Sequence, residues 1–311
     1  MVGILIVTYN SEEVIGPCLD SCRSAGEVLV VDNASTDGTR AEVARRPWVR
    51  SIFNPSNRGF SGAVNQGIDA LDTGCVLLLN PDTVLASGLE ALASCFDNPR
   101  VGAATGRLLG ADGSDQDAFH LRRLPSAAVL AFEVLGINRL WPGNPANRAY
   151  RAAGDQVEQP AGAFLMIRRS AWEQLAGFDE DFYPVWFEDV DFCKRLKDAG
   201  WKIAYEPAAV ARHLGGHSTS GLAWGQRQTF WYGSLLRYTA NHCSAVPRFF
   251  VGIAVMLACP PRMLASLVVR RSLEPVVVFS KVFWSAAHSL VSGRPKQSRE
   301  STRPAEQLVR Q

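Results

Sequence analysis

Hydrophobic and polar positions in the first hundred residues fall into short apolar runs separated by longer periodic stretches. Ile4 to Val7, Val28 to Val31, Ser51 to Phe53 and Val76 to Leu79 are brief β-branched or aliphatic runs. Between them, apolar residues recur at helical spacing, with Val14, Cys18 and Leu19 the first example. Runs that are apolar at consecutive positions suit strands covered on both faces, so the pattern predicts an α/β domain built on a parallel sheet. Asn10 with Glu13 three residues later predicts a capping box at the first helix, and Ser35-Thr36-Asp37 opens a second, with Asp37 as a cap. Glu188-Asp189-Val190-Asp191 opens a further helix, whose Cys193, Leu196 and Lys197 keep helical spacing up to Gly200.

The rest of the chain is less regular. Residues 110–160 are rich in Gly, Pro, Asn and Arg with little periodicity, and read as a long connection over the face that carries the chemistry. Arg122 and Arg123 within it are read by default as solvated surface cations, with contact to a phosphate as the functional alternative. Phe249 to Val269 and Pro275 to Val291 are strongly apolar, but Pro260-Pro261 is expected to break the first, and Lys281 and His288 interrupt the second. Neither reads as a clean membrane span. Interfacial amphipathic helices fit better, with Phe249, Phe250, Phe279, Phe283 and Trp284 on the apolar side and Arg248, Arg262, Arg270, Arg271 and Lys281 for anionic headgroups. Packing as ordinary core or as a homodimer interface is the alternative. Residues 294–311 are polar and basic and are expected to be disordered.

Composition narrows the classes. A chain of 311 residues with 47% hydrophobic and 20% charged residues is an ordinary globular protein. Its formal charge of +2 gives no argument for nucleic acid, yet residues 1–245 carry a net −5 and residues 246–311 a net +7, so an acidic body precedes a basic apolar tail. Seven dispersed cysteines with no C-x-x-C fit neither a disulfide framework nor a zinc site, and suit a reducing cytosol. The first strand begins at once, without a secretory pattern, so cytoplasmic chemistry is expected.

In open parallel sheets ligands bind beyond the carboxyl ends of the strands. Those ends carry Thr8-Tyr9-Asn10, Asp32-Asn33, Asn57-Arg58-Gly59 and Asn80-Pro81-Asp82. Turn chemistry accounts for each singly, but not for four converging on one cleft. Asp82 after an apolar run, and the Glu188-Asp189-x-Asp191 cluster beside Trp186 and Phe187, suggest a metal-held diphosphate facing a general base. Stabilisation of a helix N-terminus explains one or two of those acids better than all three.

These residues carry a resemblance. Val7-Thr8-Tyr9-Asn10, Val31 to Thr39 (VDNASTDGT), Asn57-Arg58-Gly59-Phe60, Leu79 to Thr83 (LNPDT), Gly162 to Leu165 (GAFL), Gly177 to Glu180 (GFDE) and Phe187 to Asp191 (FEDVD) resemble, in order, the motifs of the family 2 inverting glycosyltransferases, especially the rhamnosyltransferase-like branch. The likeness covers about residues 1–220. It implies a GT-A type fold, a Rossmann-like mostly parallel sheet with flanking helices, followed here by a C-terminal helical, membrane-associated segment. With the tail, the chain is expected to divide into a nucleotide-sugar-binding half (1–110), an acceptor-binding and catalytic half (111–225), C-terminal amphipathic helices (226–293) and the basic tail (294–311).

The resemblance also implies roles. Asp32 accepts from the pyrimidine base, with Thr8, Tyr9, Asn10, Asn33, Asn57, Gly59 and Asn80 around the nucleotide. Asp82 is the metal ligand, for Mg²⁺ or Mn²⁺, one carboxylate where many members have two; His213 is a second ligand and His217 a weaker candidate. Asp189 is the base, with Glu188, Asp191 and Trp186 supporting the acceptor or the helix. The implied activity moves L-rhamnose from dTDP-L-rhamnose, or a hexose from a UDP-sugar, onto a glycan or polyprenyl-diphosphate-linked saccharide in cell-envelope polysaccharide synthesis, by an enzyme lying on the inner face of the cell membrane. A catalytically idle nucleotide-sugar-binding scaffold is the non-enzyme alternative. A dinucleotide-dependent dehydrogenase lacks its G-x-G-x-x-G after the first strand, and a sugar-phosphate nucleotidyltransferase its glycine-rich basic loop.

Overall fold

The computed structural model describes residues 2–152, 156–215 and 221–292. His217 and the tail 294–311 lie outside the described residues. All four predicted strands form, as β1 (Val2–Thr8), β2 (Glu27–Asp32), β3 (Arg50–Phe53) and β4 (Cys75–Leu79), and pair in parallel in the order β3-β2-β1-β4. Helices α1 (Ile15–Ser21), α2 (Thr39–Ala44) and α3 (Gly59–Ala70) make the crossovers. Beyond β4 the sheet becomes mixed. β9 (Phe164–Arg168) runs antiparallel between β4 and β6 (Val101–Leu109), β10 (Lys202–His213) lies parallel to β6, and β5 (Thr83–Ser87) closes the edge antiparallel to β10.

Consecutive apolar residues in these strands serve opposite faces, since side chains alternate along a strand. Ile4, Ile6, Val28, Val30, Leu77 and Leu79 pack with Ile15, Cys18 and Leu19 of α1 and Val43 of α2. Leu5, Val7, Leu29, Val31 and Leu78 face the other way, onto Val64 and Ile68 of α3 and onto Trp172, Phe178, Phe192 and Leu196. Trp172 lies on α9 (Arg169–Gln174), and Phe192 and Leu196 on α10 (Glu188–Asp198), the helix expected there.

Three local expectations are corrected. Asn10 does not cap α1: the helix starts after Val14 without a side-chain cap, while Asn10, at φ 51°, accepts from the Thr36 N–H with its side-chain oxygen and ties the β1 loop to the β2 loop. Asp37 does serve the start of α2, accepting from the Thr39 N–H and hydroxyl. The irregular connection is largely structured, with short helices α5 (Asp117–His120), α6 (Ala127–Val134), α7 (Ile137–Leu140) and α8 (Pro145–Tyr150), and a two-stranded ribbon of β7 (Leu121–Arg122) and β8 (Gln159–Pro160). A shorter helix, α4 (Leu89–Ser94), precedes β6.

The third correction concerns the C-terminal region, where α11 (Trp224–His242), α12 (Ala245–Arg270) and α13 (Glu274–Ser292) pack on α6. Pro260 and Pro261 do not break α12. Each proline removes one backbone donor and crowds the preceding turn, at about 3 kcal/mol. Tertiary packing offsets that: Val251, Val255 and Cys259 are buried against α6, α11 and α13, and Arg262 donates to the Val134 carbonyl at the end of α6 at 2.7 Å. Arg262 is therefore committed within the fold, as is Arg270, which pairs with Glu274 and lies over Trp224.

Candidate active site

A cavity of about 640 Å³ opens at the carboxyl ends of β1, β2 and β4 and is closed on the far side by α6, α8 and the start of α10. Thr8, Tyr9, Asn33, Asn57, Asn80, Asp82, Trp186, Glu188, Asp189 and His213 all line it. Thus most residues expected at the site converge. Asn10, Asp32, Gly59 and Asp191 are not on its wall.

The nucleotide side is built by loop clasps. Asn33 donates its backbone N–H to the Thr8 carbonyl (2.8 Å) and its side-chain amide to Asn57 Oδ1 (2.9 Å) and the Gly59 carbonyl (3.1 Å). Asn57 Oδ1 also takes the Gly59 N–H (2.8 Å). Gly59 holds φ +76°, and a Cβ there would lie 2.7 Å from the Tyr183 ring, so glycine is required for the loop to close. Asp32 is fully buried; its Oδ2 takes Arg40 Nε at 2.9 Å and the Ser35 N–H, while Oδ1 has no hydrogen-bond partner among the described residues. Thr8 Oγ1 is likewise buried and unsatisfied.

Asp82 and His213 meet through sheet register. His213 stands opposite Thr83 in the β10/β5 ladder, and the Leu214 N–H donates to the Asp82 carbonyl at 3.0 Å. This brings His213 Nε2 to 3.4 Å from Asp82 Oδ1, both side chains being nearly inaccessible. Gln116, which sequence reasoning missed, fixes the imidazole. Its amide nitrogen donates to the His213 carbonyl (3.1 Å), so its oxygen faces His213 Nδ1 (3.0 Å) and takes a proton from it. Phe119 stacks on the ring at 5.6 Å and 12°. Nε2 then faces a carboxylate oxygen, a nitrogen–oxygen pair whose spacing suits a cation between them. The donor set, one oxygen and one imidazole nitrogen, suits Mn²⁺ better than Mg²⁺. Among the described residues no group of three or more His, Cys, Asp or Glu side chains converges to hold a metal, so phosphate and water oxygens would complete the shell.

Across the cavity, α10 begins after Trp186 (φ 84°) and Phe187 (φ 70°), two consecutive non-glycine residues in the left-handed region. Such conformations cost about 1–3 kcal/mol each and persist only when the surroundings enforce them. Here α11 does so, because Phe187 packs on Trp231 and Tyr238 at centroid distances of 6.2 and 5.6 Å. The result aims Asp189 into the cavity. Its Oδ2 accepts from the Gly162 N–H (3.1 Å) and the Gln159 amide (3.4 Å), and its Oδ1 from the Val190 N–H (2.7 Å). Glu188 is buried, and burial together with the adjacent Asp189 charge pushes its carboxyl well above the usual range.

Asp191 turns away from the cavity. It takes Arg195 Nε on Oδ2 (2.7 Å) and pairs with His242 of α11 through Oδ1 (2.7 Å), which ties the C-terminal helices to the helix of Asp189. Burial alone would raise its pKa, but the His242 hydrogen bond and the Arg195 charge overcome that and hold it below the usual aspartate value. No motif or periodicity marks Gln116, Gln159 or His242; only their partners reveal them.

Comparison with known proteins identifies the family and the fold. Residues 3–175 match the glycosyl transferase family 2 model, and residues 134–291 the glycosyl transferase family group 2 model. The chain is 34% identical over 273 residues to the N-acetylglucosaminyl-diphospho-decaprenol L-rhamnosyltransferase of Mycobacterium tuberculosis, spanning 76% of this chain and 88% of that one. It is 25% identical over 258 residues to the rhamnosyltransferase WbbL of Escherichia coli, covering 78% and 96% respectively. In fold it is similar to the mannosyltransferase PcManGT of Pyrobaculum calidifontis, solved with GDP-Man and Mn²⁺, at a TM-score of 0.51, 17% identity and coverage of 93% and 86%. GalNAc-T7, solved with UDP, GalNAc and Mn²⁺, gives a TM-score of 0.59 at 13% identity, covering 94% of this chain and 57% of that one. The eight-stranded sheet is thus of the GT-A type, and the chain belongs to glycosyl transferase family 2.

Proposed function

We propose that this enzyme transfers L-rhamnose from dTDP-L-rhamnose, with inversion, to a hydroxyl of a polyprenyl-diphosphate-linked saccharide in cell-envelope polysaccharide synthesis. The observation that carries the reading is a single cavity in which the strand-end loops, the Asp82–His213 pair and Asp189 face one another. The 34% identity to a decaprenol-linked L-rhamnosyltransferase supports this donor and acceptor class over a UDP-hexose.

In this reading Tyr9, 40% exposed at the cavity wall, offers a ring face to the thymine base, and Asp32, buried behind that wall, holds the loop after β2 through Arg40 and the Ser35 N–H. Asp189 takes the proton of the acceptor hydroxyl; the oxygen forms a bond to the anomeric carbon as the bond from that carbon to the diphosphate oxygen breaks on the opposite face, which inverts the centre. Asp82 and His213 would hold a divalent cation, which supplies positive charge against the departing diphosphate. Glu188, at the wall and with its carboxyl pushed well above the usual range by burial, donates a hydrogen bond to the acceptor.

A thermal-shift panel of dTDP, UDP and GDP, with and without Mn²⁺, tests the donor class. Selective ligands stabilise by mass action, about 2.7 kcal/mol at a hundredfold excess over Kd. The expected result is a rise in Tm with dTDP that Mn²⁺ enlarges, and a smaller one with GDP. No shift with either pyrimidine nucleotide would sink the reading.

In this reading the enzyme lies at a membrane surface, and the C-terminal helices support it. α12 is long and apolar enough to cross a membrane by length and composition, but one face of it is core. Its other face exposes Val246, Phe249, Phe250, Leu257, Leu264 and Val268 at helical spacing, and Trp284 of α13 is 70% exposed. A helix apolar on both faces, buried on only one, suits peripheral insertion beside a lipid-linked acceptor. Co-sedimentation with vesicles containing phosphatidylglycerol is expected, and should weaken with salt. A stable dimer in solution with no vesicle binding would show instead that a second copy covers the stripe.

A further inference from the structure

Arg122 stands where no surface default explains it. It lines the cavity, and it is the one arginine or lysine among the lining residues, against the carboxyl groups of Asp82, Glu133, Glu188 and Asp189. Its guanidinium carbon lies 5.8 Å from the centroid of Phe119 and 5.7 Å from that of Tyr150. Phe119 in turn stacks on His213, so Arg122, Phe119, His213 and Asp82 form one continuous row. Arg40, Arg195 and Arg237 pair with carboxylates, whereas no acid pairs with Arg122 among the described residues. Its Nε is buried with no hydrogen-bond partner among the described residues.

Two aromatic rings hold the guanidinium by cation–π attraction and the Tyr150 side chain also hydrogen-bonds it, which leaves its remaining N–H groups for a ligand. A partly desolvated guanidinium without a counter-charge is costly, and an anion with paired oxygens offsets that cost. Building on the functional reading above, we infer that Arg122 binds the diphosphate group of a substrate. Two substrates of that reaction carry one, the nucleotide sugar and the polyprenyl-linked acceptor.

The test uses the full chain and its Arg122→Gln and Arg122→Lys variants, with circular dichroism and Tm as the check on folding. Calorimetric titrations with dTDP, thymidine monophosphate and farnesyl diphosphate, all with Mn²⁺, separate the sources. Loss of a hydrogen bond to a charged group should weaken the contacted diphosphate by about 10- to 100-fold in Arg122→Gln. The monophosphate should lose far less, and Arg122→Lys should recover part of the affinity. A loss confined to dTDP identifies the donor diphosphate, and one confined to farnesyl diphosphate the acceptor's. Unchanged affinity for both diphosphates in a folded Arg122→Gln overturns the inference. So does an equal loss for mono- and diphosphate, which would report a disturbed nucleotide pocket. If the wild type binds none of these ligands, the functional reading falls and this assignment with it; if the wild type binds and Arg122→Gln binds equally, only the assignment falls.

Discussion

Asp189→Asn is expected to lower turnover by about 10²–10⁴-fold, the usual worth of a positioned general base, while leaving dTDP affinity and Tm close to wild type. The amide is isosteric; its one oxygen can keep the Gly162 N–H, and the bond given up is the one from the Val190 N–H to the other carboxylate oxygen. What is lost is the basic lone pair. Glu188 does not replace it: burial beside the Asp189 charge pushes its carboxyl well above the ordinary range, so it keeps its proton at pH values where an ordinary carboxylate has lost one. Two adjacent carboxyl groups in different environments thus divide into one proton acceptor and one donor. Steady-state transfer assays beside calorimetric dTDP titration check this; a kcat within threefold of wild type would remove Asp189 from the role.

How much of this was legible in the chain depends on the range of the interaction that decides each feature. The strands β1 to β4 are written locally, because burial on both faces demands runs of Ile, Val and Leu, and the polar residues that end those runs fall at the cavity by topology alone. The α10 start is equally local, since acids in the first turn suit a helix N-terminus. Asn10 was misread because a contact 26 residues away, to the Thr36 N–H, outcompetes the capping geometry of its own turn. The connection between residues 110 and 160 hides helices of four to eight residues, too short for a 3.6-residue period to show. Pro260-Pro261 obeys the local rule for a break and is overruled by α6, α11 and α13 packed along α12. Gln116 reaches His213 across 97 residues and His242 reaches Asp191 across 51, so no window of sequence contains either pair.

That last pair has the larger structural consequence. Asp191 is 1% exposed and joins Arg195 in its own helix to His242 in α11, so Asp191→Ala leaves a guanidinium and an imidazole facing each other without the acid between them. Breaking a buried pair typically costs 3–5 kcal/mol; Arg195 keeps the Leu175 and Gly177 carbonyls, which brings the expected loss to about 3 kcal/mol. Because α11 also holds Phe187 and the strained approach to Asp189, transfer activity should fall with stability although Asp191 touches no part of the cavity. The contribution is pH-dependent with a defined sign. Asp191 has a folded pKa below its unfolded value, so the stabilisation is complete above the unfolded aspartate pKa of about 3.9 and fades as pH falls through the lower folded value. Denaturant titrations of wild type and Asp191→Asn should therefore show a gap that narrows as the pH drops from about 5 to below about 4. A gap that stays constant through that range, or one that widens in acid, would mean that the carboxylate charge is not what fastens α10 to α11.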